Sequence, residues 1–401
     1  MSVAPATADA VQLRRARTAV AACFFTNAVF YAALVPRLPE VKAQLGLSST
    51  ALGAALAALP LGALLAGLSS AAFIRRFGSG RVASYGLVLL GVTVWTVSVA
   101  PNWLGLAAAL LVIGALDAIV DVAQNAHGLR VQRLYQRSII NAFHGIWSIG
   151  AVTGGLLGSV AAGLGVPLVG HLAGSAVVFG AVALVASRAV LPGRDEPEPV
   201  AEEHPRELPR RRAAVPALAV LGVLAACGAF VEDAGASWSA LYLRTELDAG
   251  AATAGLGFVA LSVAMTVGRL TGDRVVDRFG QRRVVRAGGA LTAAGMGLAL
   301  ALPSVPATLV GFALAGLGVA TLIPAVYHAA DELPGLPHGV GLAVINWLLR
   351  IGFLLSPPLI GAVADATSLR VGLLAVVLAG AGALVLGRSL PGRRSAGRPG
   401  G

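Results

Sequence analysis

Apolar positions in this chain come in long unbroken runs, not in alternation. Twelve runs of roughly 20 residues lie near 16–35, 50–73, 82–100, 104–126, 139–162, 167–189, 215–241, 251–271, 284–302, 306–328, 339–362 and 371–388. Each is long enough to cross a bilayer. Lipid gives the backbone no water to bond, so each run is predicted to be a helix. Period-two alternation is absent, which argues against a barrel. The predicted fold class is an all-α integral membrane protein with twelve transmembrane helices. The only long polar stretch, 191–214, is rich in Pro and mixed charge, starting Pro192-Gly193-Arg194-Asp195-Glu196-Pro197. It reads as a flexible cytoplasmic linker between a six-helix half at 1–190 and a second at 215–390. The ends, 1–9 and 391–401, read as disordered tails.

The halves repeat one another. Asp277-Arg278-Phe279-Gly280-Gln281-Arg282-Arg283-Val284 is echoed by Arg76-Phe77-Gly78-Ser79-Gly80-Arg81-Val82, with Phe77 and Gly78 lying 202 positions before Phe279 and Gly280. Cys23 and Cys227 sit at matching places, as do Ile140-Asn141 and Ile345-Asn346. A duplicated membrane half with a short basic loop after its second span points to a carrier. Small residues fill the spans, and Gly150, Gly154 and Gly158 make a face suited to close helix packing. Pro60, Pro324, Pro357 and Pro358 are candidate kinks.

Composition fits a membrane chain. Of its 401 residues 57% are hydrophobic and 12% charged, and mean hydropathy is +0.80; a soluble chain carries about twice that charge. The net charge of +11 invites a nucleic-acid reading, but its distribution argues otherwise. With the N-terminus inside, 25 of the 30 Lys and Arg fall on inward segments and 4 on outward ones. That asymmetry predicts cytoplasmic termini and excludes nucleic acid as the partner. The two cysteines fall in spans and read as small apolar residues. The Ala, Gly and Arg excess, with a single lysine, suggests a high-GC bacterium and its inner membrane.

Ionisable groups in a span cost about 2.5–3.5 kcal/mol each on insertion scales, so those present are candidate functional groups. Span four carries Asp117, Asp121 and Asn125 on one face, and span seven carries Glu232 and Asp233. The four acids are the candidates for proton coupling; structural hydrogen bonding, or an ion pair with Arg350, is the competing role. Arg350 is read as the one basic residue deep in a span, where it would hold an anion or a carboxylate. His144 and Trp147 in span five, Asn346 and Trp347 in span eleven, and Asn27 and Tyr31 in span one complete the substrate-binding candidates, with Asn125. Indole rings and amides in a cavity suit a sugar or polyol, though helix packing explains each equally well. Trp238 and Tyr242 read as interfacial anchors.

Twelve spans in two halves, the charged linker and the paired loops together resemble the major facilitator superfamily, over about residues 14–390. The second loop follows the family pattern D-R-x-G-x-R-R through Asp277, Arg278, Gly280, Arg282 and Arg283. It departs at Gln281, where a basic residue is common, and at Gly272, one position early. In the first loop Arg75 stands where the family has an acid, so that acid's role is not carried over. Gly114-Ala115-Leu116-Asp117, Phe143-His144-Gly145-Ile146-Trp147-Ser148 and Ala236-Ser237-Trp238-Ser239-Ala240-Leu241-Tyr242-Leu243 resemble the fucose-permease-like and rhizopine-transport-associated bacterial branch. The resemblance implies alternating access, with spans one, four, seven and ten lining a cavity. It also implies a cytoplasmic gate at Asp277, Arg278, Gly280, Arg282 and Arg283 and at Arg76, Gly78 and Arg81.

The expected function is secondary transport of a small polar solute, a sugar, polyol or related metabolite, coupled to protons, by a monomer. A proton-driven exporter and a transport-inactive receptor are the alternatives. No phosphate-binding loop, metal-ligand spacing or cofactor motif is present, so no enzyme activity, metal or cofactor is expected.

Overall fold

The computed structural model describes residues 10–67, 69–193, 208–333 and 340–390; most of the 191–214 linker and both tails lie outside them. Twelve described helices are long and apolar enough to span a membrane. They are α1 (Ala10–Gln44), α2 (Ser49–Gly67), α3 (Ser79–Val99), α4 (Trp103–Tyr135), α5 (Ile140–Gly163) and α6 (Leu168–Ser187) in the first half. The second half has α7 (Leu208–Thr245), α8 (Ala251–Phe279), α9 (Gln281–Ala301), α10 (Val305–Asp331), α11 (Val340–Ala366) and α12 (Leu369–Ser389). No strand occurs among the described residues. α7 begins at Leu208, inside the stretch read as linker.

Contacts divide the chain into two compact units, 1–45 with 58–199, and 46–57 with 200–401. The first turns of α2 cluster with the second unit, where Asp365 of α11 accepts from the N–H groups of Ser49 and Thr50 at 2.9 and 2.7 Å. A carboxylate there satisfies donors that a helix start leaves without partners.

In the first unit, Phe24 of α1, Val131 of α4 and Phe143 of α5 share one buried cluster. In the second, Leu224 of α7, Val326 of α10 and Ile345 of α11 share another. The glycine face expected on α5 packs on α1. A Cβ on Gly150, Gly154 or Gly158 would meet the carbonyl oxygens of Phe25, Val29 and Ala33 at 2.5, 2.7 and 2.5 Å. Only a hydrogen fits there, so the two backbones run in contact.

The candidate prolines behave differently. α10 is an α-helix over Val305–Val319, breaks, and resumes over Leu322–Asp331. Pro324 lacks an N–H for the Ala320 carbonyl and its ring crowds that oxygen, which accounts for the break. The helix assignment runs unbroken through Pro60 in α2 and through Pro357 and Pro358 in α11. Trp238 and Tyr242 are not interfacial anchors: both are 0% exposed, packed in the second unit's interior. Their position at a helix end suggested the headgroup region, but tertiary packing covers them.

Candidate functional site

In the first unit α1, α4 and α5 bring three candidates together. Asn27 of α1 is 5% exposed, and both ends of its amide are used. Its Nδ2 donates to Asp117 Oδ1 at 2.8 Å, and its Oδ1 accepts from Trp147 Nε1 at 2.9 Å. An indole N–H only donates, so it fixes which way the amide faces. The carboxylate of Asp117 is thus joined through one neutral amide to a neutral ring. The stripe Asp117, Asp121, Asn125 divides: Asp121 knits its own helix, accepting from Asn125 Nδ2 at 3.0 Å and Gln124 Nε2 at 3.3 Å. His144 meets the Phe24 ring edge-on at 5.3 Å, and Tyr31 sits half-buried one turn beyond Asn27.

The second unit holds its acids differently. Glu232 of α7 pairs with Arg269 of α8 at 3.3 Å, with both side chains partly exposed. Asp233 accepts from Ser237 Oγ at 3.3 Å, and its Oδ2 is buried with no hydrogen bond. Neither acid pairs with Arg350. Arg269 is the partner of Glu232, so the competing ion pair with Arg350 does not form, and Arg350 is not the one basic residue within a span. Arg269 already falls inside the run expected at 251–271, and α8 runs on to Phe279, so the residue lies within the helix and not in an inward loop. On α11 Asn346 Oδ1 accepts from the Tyr327 hydroxyl of α10 at 3.3 Å, and Arg350 stands one turn further along the same face. Trp347 is 54% exposed and heads a stripe with Ile351, Leu355 and Leu359, all exposed, the pattern of a surface facing lipid.

The two loop copies share one backbone. Gly78 and Gly280 both have φ +83 and ψ 144, a region that glycine alone adopts without cost. Each N–H bonds back into the preceding helix, a short one over Ser70–Phe77 in the first copy and α8 in the second, to Ile74 O at 2.8 Å and Val276 O at 2.7 Å. Arg76 lies over the Phe77 ring at 5.5 Å, and Arg278 over the Phe279 ring at 5.6 Å. Their surroundings differ. Gln281, where a basic residue is usual, donates to Ala325 O at 3.0 Å. In the first copy Ser79 Oγ bonds buried His127 Nδ1 at 3.0 Å, and His127 Nε2 accepts from Leu191 N at 3.2 Å. Asp277, Arg81, Arg282 and Arg283 are exposed. Among the described residues Asp277 makes no hydrogen bond or ion pair.

Sequence reasoning missed Arg269, Tyr327 and His127. For Arg269 a signal existed, since it falls inside the apolar run expected at 251–271. Nothing local pointed to Tyr327 or His127. No group of three metal-ligating side chains occurs among the described residues.

The family model described as Major Facilitator Superfamily matches residues 20–232 and 218–400. The chain belongs to the major facilitator superfamily. Membrane protein MosC of Rhizobium meliloti is 31% identical over 367 residues, 90% of this chain and 87% of that one, in keeping with the branch resemblance. An uncharacterised MFS-type transporter of Yersinia pestis is 29% identical over 351 residues, 87% of this chain and 88% of that one. Among solved structures, a bacterial homologue of the lysosomal transporter Spinster superposes with TM-score 0.73 at 16% identity, covering 93% of this chain and 96% of that one. The MFS transporter FucP does so with TM-score 0.61 at 17% identity, covering 93% and 97%. Such identities speak to the fold alone. This member of the superfamily is a bacterial, multi-pass transporter of small solutes.

Proposed function

We propose that this transporter carries a small polar organic solute, a sugar, polyol or related metabolite, by alternating access coupled to proton movement. The observation that carries the reading is the chain Trp147–Asn27–Asp117. A carboxylate in a span, joined to a neutral amide, gains or loses a proton with an immediate change in the bonds around it. Asp117 is the proposed proton carrier. Asn27 and Trp147 supply an amide and a ring of the kind that recognises hydroxylated rings. In the second unit Glu232 and Arg269 are the proposed charged pair, with Asn346, Tyr327 and Arg350 as further polar contacts for solute. Asp277 and the arginines of both loops are the proposed cytoplasmic gate. The protein is proposed to work as a monomer in the inner membrane, both termini cytoplasmic, on the strength of the arginine asymmetry.

The test is uptake into proteoliposomes of labelled sugars, polyols and amino acids, with and without an inward proton gradient. Gradient-dependent accumulation of a hydroxylated solute is expected. Accumulation indifferent to the gradient removes the coupling. Movement of hydrophobic cations alone replaces the reading with an exporter, and binding without counterflow replaces it with a receptor.

A further inference from the structure

On the outside of the first unit, α1 and α6 leave a groove of about 570 Å³ between them. That volume lies within the roughly 300–1,000 Å³ of small-molecule sites. One wall is Arg14, Arg15, Thr18, Ala19 and Ala22; the other includes Val182 and Val185. On each wall the spacing keeps the residues on one helix face. The groove is therefore polarised. Its two arginines stand at one mouth, and Ala22, seven residues past Arg15 and about 10 Å along α1, lines the groove with Val182 and Val185.

The third arginine of the same cluster is already engaged. Arg17 donates to the Tyr135 hydroxyl at 3.4 Å and lies 5.4 Å from its ring centre. Arg14 and Arg15 are exposed, and their side chains make no hydrogen bond or ion pair among the described residues. Positive-inside charge alone explains arginines near a helix start; it does not explain an apolar groove opening directly beneath two of them. Thr18 cannot serve as a counter-group, because it is neutral and its hydroxyl donates to Arg14 O at 3.1 Å.

We infer that this groove is a binding site for one anionic phospholipid, its phosphate on Arg14 and Arg15 and an acyl chain along Ala19, Ala22, Val182 and Val185. Charge at the mouth and hydrocarbon below match a lipid that has both, and basic pockets between membrane helices select anionic headgroups in this way. The site itself does not depend on the transport reading; only its assignment to the cytoplasmic leaflet rests on the orientation proposed above.

Native mass spectrometry of the full chain tests it, with phosphatidylglycerol and phosphatidylcholine of identical chains added in equal amounts. The wild type should retain phosphatidylglycerol with roughly thirty-fold preference, the size of two arginine contacts of about 1 kcal/mol each near a membrane surface. Arg14→Gln with Arg15→Gln should remove the preference. Val182→Trp, which obstructs the groove along its apolar wall and keeps both charges, should remove it too, whereas Arg75→Gln with Arg76→Gln should keep it. Inorganic phosphate should not displace the lipid. An unchanged preference in either groove variant, equal loss in the Arg75 and Arg76 variant, or displacement by phosphate overturns the proposal. Unfolding temperatures in lipid-free detergent should match the wild type for every variant. If the Arg14 and Arg15 variant does not fold, Val182→Trp decides alone.

Discussion

The two units pack matching helices around similar buried clusters, α1, α4 and α5 in one and α7, α10 and α11 in the other, yet they hold their intramembrane acids with different chemistry. In the first, Asp117 is held by a neutral amide that is itself held by an indole. In the second, Glu232 is held by the guanidinium of Arg269. The same division appears in the loops, where an identical turn at Gly78 and Gly280 carries Arg75 in one copy and Asp277 in the other. Duplication has preserved backbone geometry and allowed side-chain function to diverge.

The largest expected effect tests that asymmetry directly. Asp117→Asn should bring proton-driven accumulation to background while counterflow of solute continues. Glu232→Gln should leave gradient dependence in place. Loss of coupling in Glu232→Gln with retention in Asp117→Asn would invert the comparison. Next come the twin turns. Gly78→Ala and Gly280→Ala should each cost about 1–3 kcal/mol, the strain of a side chain at that backbone angle, and by nearly equal amounts. Unfolding temperatures that differ widely between the two would mean the turns are alike in shape only.

Trp147→Phe keeps the ring and removes the N–H, for a loss of about 1 kcal/mol. Solute affinity should fall several-fold if Asn27 contacts solute. Unchanged affinity would leave Trp147 as packing. The smallest effect is at Glu232 and Arg269, whose partial exposure limits the pair to about 0.2–1 kcal/mol. Arg269→Glu should lower the unfolding temperature slightly, and adding Glu232→Arg should restore it. Without restoration, the 3.3 Å contact contributes no specific pairing energy.

Architecture was readable because lipid removes alternatives: a run of 20 apolar residues has one way to satisfy its backbone. The glycine face of α5 was readable for the same kind of reason, since its spacing leaves little else for it to do. Polar partners were not. Arg269 lies 37 residues from Glu232, and its role appears only when α7 and α8 lie side by side. Asp117, Asp121 and Asn125 share a helix face, yet they separate because Asn27 reaches the first while Asn125 folds back on the second. Periodicity gives the direction a side chain leaves its helix and is silent on what waits there. The terminal position of Trp238 misled for the opposite reason: a helix end near the membrane surface can still be covered by neighbouring helices.

The glycine seam between α5 and α1 has a mechanical consequence. Two rods touching along their backbones behave as a single stiff plank, and Trp147 and Asn27 are mounted on opposite sides of its joint. Asp117 stands on a third rod, α4, and accepts a hydrogen bond from Asn27 of that plank. A displacement of Asn27 is therefore carried by two helices at once.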